Sequence, residues 1–292
     1  MLNEKCKLCK SRRTRKFGFY RGLQCYYCNI CGHKFIANGK FARMRVKSDA
    51  IIMAIDLYYQ GASLRKVQRF LRNYYDVKVS QVSVWRWIIK YSQLVKKYTD
   101  RFKMNTDYAW HTDEMVLHCK GKYVWFWSVL DLNSRFILGS IYVKSRSMEN
   151  AMNLFKICKD KTIELPETIV SDGLLTYPMA IKKVFGLKKK TTFTPHYENK
   201  VKHINLIKFT GELNNNIIER FQGSLRDRYR VMRGFKNISS ASAIMDGMII
   251  DYNFLRPHLS LGGQTPAQMI GLDLNLRDRW RSLIEMAYKN GV

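Results

Sequence analysis

Two sets of residues in this chain have types and spacings that suit chemistry. The first is Cys6-x-x-Cys9 and Cys28-x-x-Cys31, with 18 residues between the pairs. Each pair suits one turn that points two thiolates at a single ion, and four thiolates close a tetrahedral zinc site. Gly32, directly after Cys31, permits the positive φ that a tight cysteine knuckle needs. Cys25-x-x-Cys28 offers a second pairing and His33 a second kind of ligand. The preferred set is Cys6, Cys9, Cys28 and Cys31, which leaves Cys25 as a strand cysteine. The second set is acidic: Asp113, Asp172 and Glu219. The first two read as strand ends and the third as part of a later helix, so the three can converge. Converging carboxylates repel unless cations sit between them, and two divalent ions about 4 Å apart would relieve this and serve phosphoryl transfer. Mg2+ (or Mn2+) suits the role because it accepts a few carboxylates and keeps its other positions for water and phosphate. Glu114, beside Asp113, is the alternative ligand. Strand alternation sends neighbours to opposite faces, so only one of the two is expected to point inward.

These residues need elements to hold them. Residues 1–40, with Tyr20, Gly22, Tyr26 and Tyr27 between the cysteine pairs, read as short strands and turns of a zinc ribbon, whose folding energy comes mostly from the metal. Residues 41–103 read as three helices, capped by Ser48, Ser63 and Ser80, with Gly61 closing the first. This layout fits a helix-turn-helix whose third helix enters the DNA major groove. Gln81, Ser83 and Arg86 would then be exposed readers, and Arg65, Lys66, Arg69 and Arg72 phosphate clamps. Near residue 107 the period changes. Tyr108–Thr112, Lys122–Leu130 and Arg135–Val143 read as strands, the last two joined by an Asp131–Ser134 turn. A helix over Ser147–Cys158, a short strand Thr168–Val170 ending at Asp172, a helix Tyr177–Val184 and a long helix Leu213–Arg230 follow. The polar stretch Lys188–Glu212 has no clear period. Residues 104–270 thus form an α/β core with a mixed sheet, and 271–292 a helical tail.

The charge says what such a protein would meet. Lys+Arg is 51 against 23 Asp+Glu, a net charge of +28 and a pI near 9.9. A field of that sign attracts polyanions, with nucleic acid the default and an anionic membrane surface the runner-up. Residues 1–105 hold 24 Lys+Arg against 5 Asp+Glu, so the basic excess is concentrated where the helix-turn-helix is expected. No apolar run approaches the ~20 residues of a membrane span, and the first residues lack a secretory apolar segment. The seven cysteines therefore read as intracellular thiols, not as a disulfide framework.

Several blocks, in order, resemble the DDE transposases of bacterial and archaeal insertion sequences. Trp110-His111-Thr112-Asp113-Glu114 with Lys120-Gly121-Lys122 resembles the family's first block, and Val170-Ser171-Asp172-Gly173 with Tyr177 its second. Asn214-Asn215-x-x-x-Glu219-Arg220-Phe221 resembles the third, continued by Met232-Arg233-Gly234-Phe235-Lys236. Tyr252-Asn253-x-x-Arg256-Pro257-His258 with Thr265-Pro266 resembles the C-terminal signature. The resemblance implies a ribonuclease-H-like core and Asp113, Asp172 and Glu219 as catalytic, magnesium-holding acids. It also implies a DNA contact at Arg226, two helical turns beyond Glu219, and a homodimer or larger assembly on element ends and target DNA, in a nucleoid setting. Asn215 would support Glu219, and His258 would be a structural cap or phosphate contact. The 46 residues between Asp172 and Glu219 exceed the family's compact spacing, which places an insertion within residues 188–212. A regulator derived from such an enzyme, or a nuclease that never joins strands, is the alternative.

Overall fold

In the computed structural model, the described residues are 4–6, 8–20, 23–36, 44–189, 197–206, 215–232 and 234–291. They divide into two compact units, Met1–Met53 and Ala54–Val292.

In the first unit, β1 (Thr14–Tyr20), β2 (Leu23–Cys28) and β3 (Lys34–Ile36) form an antiparallel sheet in that order. Its core is small: Cys6, Cys28 and Phe35, with Tyr26 packed against them. So little apolar burial cannot offset the entropy of ordering the chain, which leaves a stabilising role for crosslinks or metal. Helix α1 (Ser48–Tyr59) runs across the boundary between the units.

The second unit continues with α2 (Leu64–Tyr75) and α3 (Gln81–Thr99). Two of the three expected caps are in place: Ser63 accepts from the Lys66 N–H and Ser80 from the Ser83 N–H, whereas Ser48 is the first residue of α1 and its hydroxyl donates to Asp49. Val67 and Leu71 turn inward from α2, while Arg65, Lys66, Arg69 and Arg72 stay exposed. Three antiparallel strands follow, β4 (Ala109–Cys119), β5 (Lys122–Asp131) and β6 (Ile137–Val143). Then come α4 (Met148–Lys161), β7 (Thr168–Ser171), α5 (Thr176–Phe185), β8 (Leu187–Lys189), β9 (Tyr197–Asn199) and β10 (Lys202–Asn205). Helices α6 (Asn216–Met232) and α7 (Ile238–Ile250), a π-helical turn (Asp251–Leu255), α8 (Pro266–Met269) and α9 (Trp280–Lys289) complete the unit.

The main sheet has the order β10-β7-β4-β5-β6, parallel across β10, β7 and β4 and antiparallel from β4 onward. This is the expected mixed α/β sheet, with β4 in its middle and Phe126–Asp131 of the neighbouring β5 all buried. Helices α4 and α5 cover the face that carries Glu114, Trp127 and Gly139. A Cβ on Gly139 would lie 2.7 Å from the Cys158 sulfur of α4, and Trp127 packs on Tyr177 of α5. Helices α6 and α7 cover the opposite face, where His111 meets Asn215 just before α6.

Three readings of the sequence change here. The first strand does not end at Asp113. It continues to Cys119, because pairing with β5 runs to Cys119↔Lys122. Asp113 therefore sits in mid-strand. The stretch 188–212 contributes β10, which extends the sheet beside β7; polar Lys202 and His203 are held by the ladder rather than by an apolar pattern. The stretch also holds the end of β8 and all of β9, which pair with each other; residues 190–196 and 207–212, with Asn214 and Arg233, lie outside the described residues. Finally, α9 is packed on α3, and Trp280 is fully buried and stacked on Tyr59 at 5.0 Å. The buried Arg228 of α6 also binds back, donating to the Ala62 carbonyl at 3.0 Å with its guanidinium 4.1 Å from the Tyr58 ring centre.

Candidate active site and metal ligands

The four cysteines of the first unit come together: one sulfur from each of Cys6, Cys9, Cys28 and Cys31 lies within 4.8 Å of the others. Cys6 to Cys31 and Cys9 to Cys28 are each 3.5 Å, and all four are free thiols. A tetrahedron of ~2.3 Å zinc–sulfur bonds has edges of about 3.8 Å, so the donor set fits the ion. Local backbone makes the knuckle. The Gly32 N–H donates to the Cys28 carbonyl, and Gly32 takes φ +67°. The backbone N–H of Cys31 helps hold the Cys28 thiol below its usual range, at about 6. Cys25 sits in β2 opposite Ile36, and His33 is stacked on Phe35; neither belongs to the group.

The acidic site forms where the main sheet opens. Pairing of β4 with β7 covers Ala109–His111 against Thr168–Val170 and then stops. Between His111 and His118 this edge of β4 pairs with no strand, and the Glu114 N–H is taken by the Asp113 carboxylate at 2.8 Å. At His118 the edge is taken up again by the Tyr229 hydroxyl and the Phe235 backbone. Asp172 follows the last residue of β7 and faces the same gap. Carboxylate oxygens of Asp113, Glu114 and Asp172 lie within 4.8 Å of one another. Asp113 and Glu114 do leave the strand on opposite faces. Their carboxylates nevertheless meet at this edge, where that of Asp113 turns to accept from the Glu114 N–H, so the expectation that only one of them points inward fails.

At ~4.8 Å and an effective dielectric constant near 20, each pair of like charges repels by roughly 3–4 kcal/mol. Burial first of all, and then the charges of Asp172, Glu114 and Glu219 against the Glu114 N–H bond, push the Asp113 carboxyl up to about 7. Glu114 is raised as well, chiefly by burial, although the Tyr177 hydroxyl donates to its Oε2 at 2.8 Å. Its Oε1 faces Arg146 at 3.4 Å. Three acids held this close while short of positive charge fit a divalent cation.

Glu219 does not join this group. It is exposed in the first turn of α6 and acts on Asp113 through its field. Asn215, expected to support Glu219 with its side chain, instead places its Oδ1 3.3 Å from His111 Nδ1, and only its backbone carbonyl accepts from the Glu219 N–H. Arg226 is exposed further along α6, with Nη2 donating to Gln222 at 2.9 Å. His258 lies 3.3 Å from the Tyr252 carbonyl, as a structural residue would.

On the helical side, Arg65, Lys66 and Arg69 line a cavity of about 1260 Å³ with Arg72, Lys78 and Ser80. Arg86 is exposed. Gln81 and Ser83 are not the open readers expected: both are half-buried, with Gln81 donating to Gln68 at 3.5 Å and Ser83 3.1 Å from the cap hydroxyl of Ser80. Sequence reasoning missed Arg146 and the partners of Glu114. The one signal for them was Tyr177 in the second block.

A family model described as a DDE domain matches residues 107–256, just over half of the chain. An uncharacterized protein of Methanocaldococcus jannaschii is 28% identical over 159 residues, 53% of this chain and 69% of that one. The transposase for insertion sequence element IS257 in transposon Tn4003, from Staphylococcus aureus, is 23% identical over 163 residues, 54% of this chain and 71% of its own. Among solved structures, the HTLV-2 integrase catalytic core in complex with magnesium shares 14% identity at a TM-score of 0.40, covering 57% of this chain and 99% of that one. The Drosophila P element transposase strand transfer complex shares 14% at 0.37, covering 85% and 81%. The family match spans both strands of the acidic site and the helix that carries Glu219, and the chain belongs to the DDE transposases of insertion sequences.

Proposed function

We propose that this transposase cuts DNA at the ends of its element and joins the freed strand to target DNA, using Asp113, Asp172 and Glu219 as its catalytic acids. The observation that carries the reading is the meeting of Asp113 and Asp172 at the gap between β4 and β7. Glu219 is assigned by its sequence block and by its field at Asp113. Divalent cations held there, Mg2+ or Mn2+ and two per site, supply Lewis-acid activation of water and of the phosphodiester. Asp113 lies within β4 and Asp172 directly after β7, so their oxygens are placed before substrate arrives, and Glu219 closes the site from α6. Cleavage hydrolyses one phosphodiester at each element end and leaves a 3′-hydroxyl. Joining is attack of that hydroxyl on a target phosphodiester, which breaks the target strand as the new bond forms.

Arg226 steadies DNA along α6. Cys6, Cys9, Cys28 and Cys31 hold a structural zinc, and residues 41–103 act as a helix-turn-helix. There the basic row Arg65, Lys66 and Arg69 holds phosphates while Arg86 and Gln81 face bases, Gln81 after release from Gln68. Two ends must be processed together, so the working form is a dimer or larger assembly on DNA. No helix among the described residues is long and apolar enough to cross a membrane, and we place the enzyme on the nucleoid.

The test is cleavage and joining of duplex oligonucleotides that carry the element ends. Asp113→Asn, Asp172→Asn and Glu219→Gln should each abolish both steps in Mg2+ while DNA affinity stays near that of the wild type. An amide keeps the shape of a carboxylate without its charge. Normal cutting by all three variants would overturn the assignment. Cutting without joining by the wild type would make the protein a nuclease, and DNA binding with neither step a regulator.

A further inference from the structure

Arg146 follows β6 and immediately precedes Ser147, the cap of α4. Its guanidinium lies 4.3 Å from the centre of the Trp125 ring, and its Nη1 is 3.4 Å from Oε1 of Glu114. The Glu114 side chain is 4% exposed and that of Arg146 is 46% exposed. One side of the guanidinium is thus fixed by a ring and a buried acid, and the other is open to solvent. Among the described residues, Arg146 is the one cation paired with the group Asp113, Glu114 and Asp172.

A half-exposed ion pair adds little to stability. Its place beside the acids has another consequence. DNA that delivers a phosphodiester to Asp113 and Asp172 also brings the neighbouring phosphates of the same strand. A neighbouring phosphate that comes near Glu114 meets a like charge unless a cation stands beside it. A forked, always-charged guanidinium matches a phosphate with two parallel N–H bonds, which a lysine cannot do. Stacking on Trp125 orients that fork in advance, so less freedom is lost when a phosphate arrives.

We infer that Arg146, held by Trp125 and Glu114, is a substrate-positioning residue that receives a phosphate of the DNA strand adjacent to the one being cut. The inference rests on the assignment of Asp113 and Asp172 as the cutting site. Glu114 serves as the tether for Arg146 and Tyr177. Its second oxygen is occupied by the Tyr177 hydroxyl, so the acid is held from two sides.

The experiment pairs a protein change with a phosphate change. Element-end duplexes carrying a single neutral methylphosphonate at each position around the scissile bond are cut by the wild type and by Arg146→Ala under single-turnover conditions. The half-saturating protein concentration is read separately from the maximal rate. Arg146→Ala on unmodified DNA should raise the half-saturating concentration by about tenfold, the order expected for one lost charged hydrogen-bond pair, with a smaller change in maximal rate. At one position next to the scissile phosphate, the methylphosphonate should weaken the wild type by a similar factor and Arg146→Ala hardly at all. Arg146→Lys should fall between the two. Thermal melting of all three proteins should coincide within a few degrees. Equal methylphosphonate penalties in wild type and variant at every position would overturn the inference alone, as would Arg146→Ala with wild-type kinetics. A wild type that does not cut would remove the parent assignment, and this inference with it.

Discussion

Replacing Asp113 with asparagine should inactivate the enzyme and, in the absence of divalent cations, make it more stable. The carboxyl of Asp113 has an ordinary value of 3.8 and is pushed up to about 7 in the folded chain, first by burial and then by the nearby acids. An acid raised in this way binds its proton more tightly when folded than when unfolded. Stability is therefore fully present below about pH 4, falls as pH rises between about 4 and 7, and is flat above. At ~1.4 kcal/mol per pH unit the loss at pH 8 is at most about 4 kcal/mol, and solvent reaching the half-buried group reduces it. Asparagine carries no charge at any of these values. Urea unfolding of wild type and Asp113→Asn in magnesium-free buffer, from pH 4 to pH 8, should give curves that coincide near pH 4 and separate up to pH 7, with the variant more stable. Added Mg2+ should narrow the gap by stabilising the wild type alone. Two parallel curves, or a variant less stable than the wild type at pH 8, would refute the argument that burial and the neighbouring acids together hold the Asp113 carboxyl high.

Two further outcomes test other parts of the molecule. Protein purified without added metal should contain one zinc per chain by elemental analysis, and Cys28→Ser should lose both that zinc and part of its DNA affinity; full zinc with full binding would sink the four-thiol site. Gly247→Ala should destabilise, because its Cβ would lie 1.9 Å from the hydroxyl of Tyr59, which is bonded to Ser92 at 2.6 Å in the core. Overpacking and a broken buried hydrogen bond outweigh the gain of about 1 kcal/mol in helix propensity, for a net loss of about 2–4 kcal/mol. An unchanged urea midpoint would show that α3 and α7 can separate freely at this crossing.

How far the sequence could be read depended on the range of the forces involved. The thiol pairs, Gly32 and the caps Ser63 and Ser80 act within a few residues, and their geometry was legible from spacing alone. The acids at 113 and 172 were legible through their blocks, but the role of Glu114 was not. Alternation separates the two Cβ atoms, whereas the meeting of the two carboxylates depends on where β7 stops pairing with β4, 55 or more residues later in the chain. Strand β10 was invisible for a similar reason: Lys202-His203-Ile204-Asn205 has no apolar alternation, and the free edge of β7 makes it a strand. Gln81 looked exposed at the start of its helix, but its partner Gln68 lies on the preceding helix.

The free edge of β4 also explains why the chemistry belongs at this point of the sheet. A carboxylate inside a continuous ladder would face a packed helix layer on either side, with no room for DNA. At a strand end beyond the sheet it would be poorly fixed. Here β4 is anchored on one side by ten register pairs with β5, from Trp110↔Asp131 to Cys119↔Lys122, while its other side is released after His111 and bonded again only at His118, by Phe235 and Tyr229. The backbone that carries Asp113 is therefore as rigid as the middle of a sheet and as accessible as its edge. The last turn before Asp172 is fixed in the same way: β7 is paired on both sides, by β4 and by β10 up to Asn205↔Ser171. The missed strand β10 is thus part of what holds the second acid. Positioning of this kind favours phosphoryl transfer, where catalysis rests on alignment and charge more than on covalent chemistry.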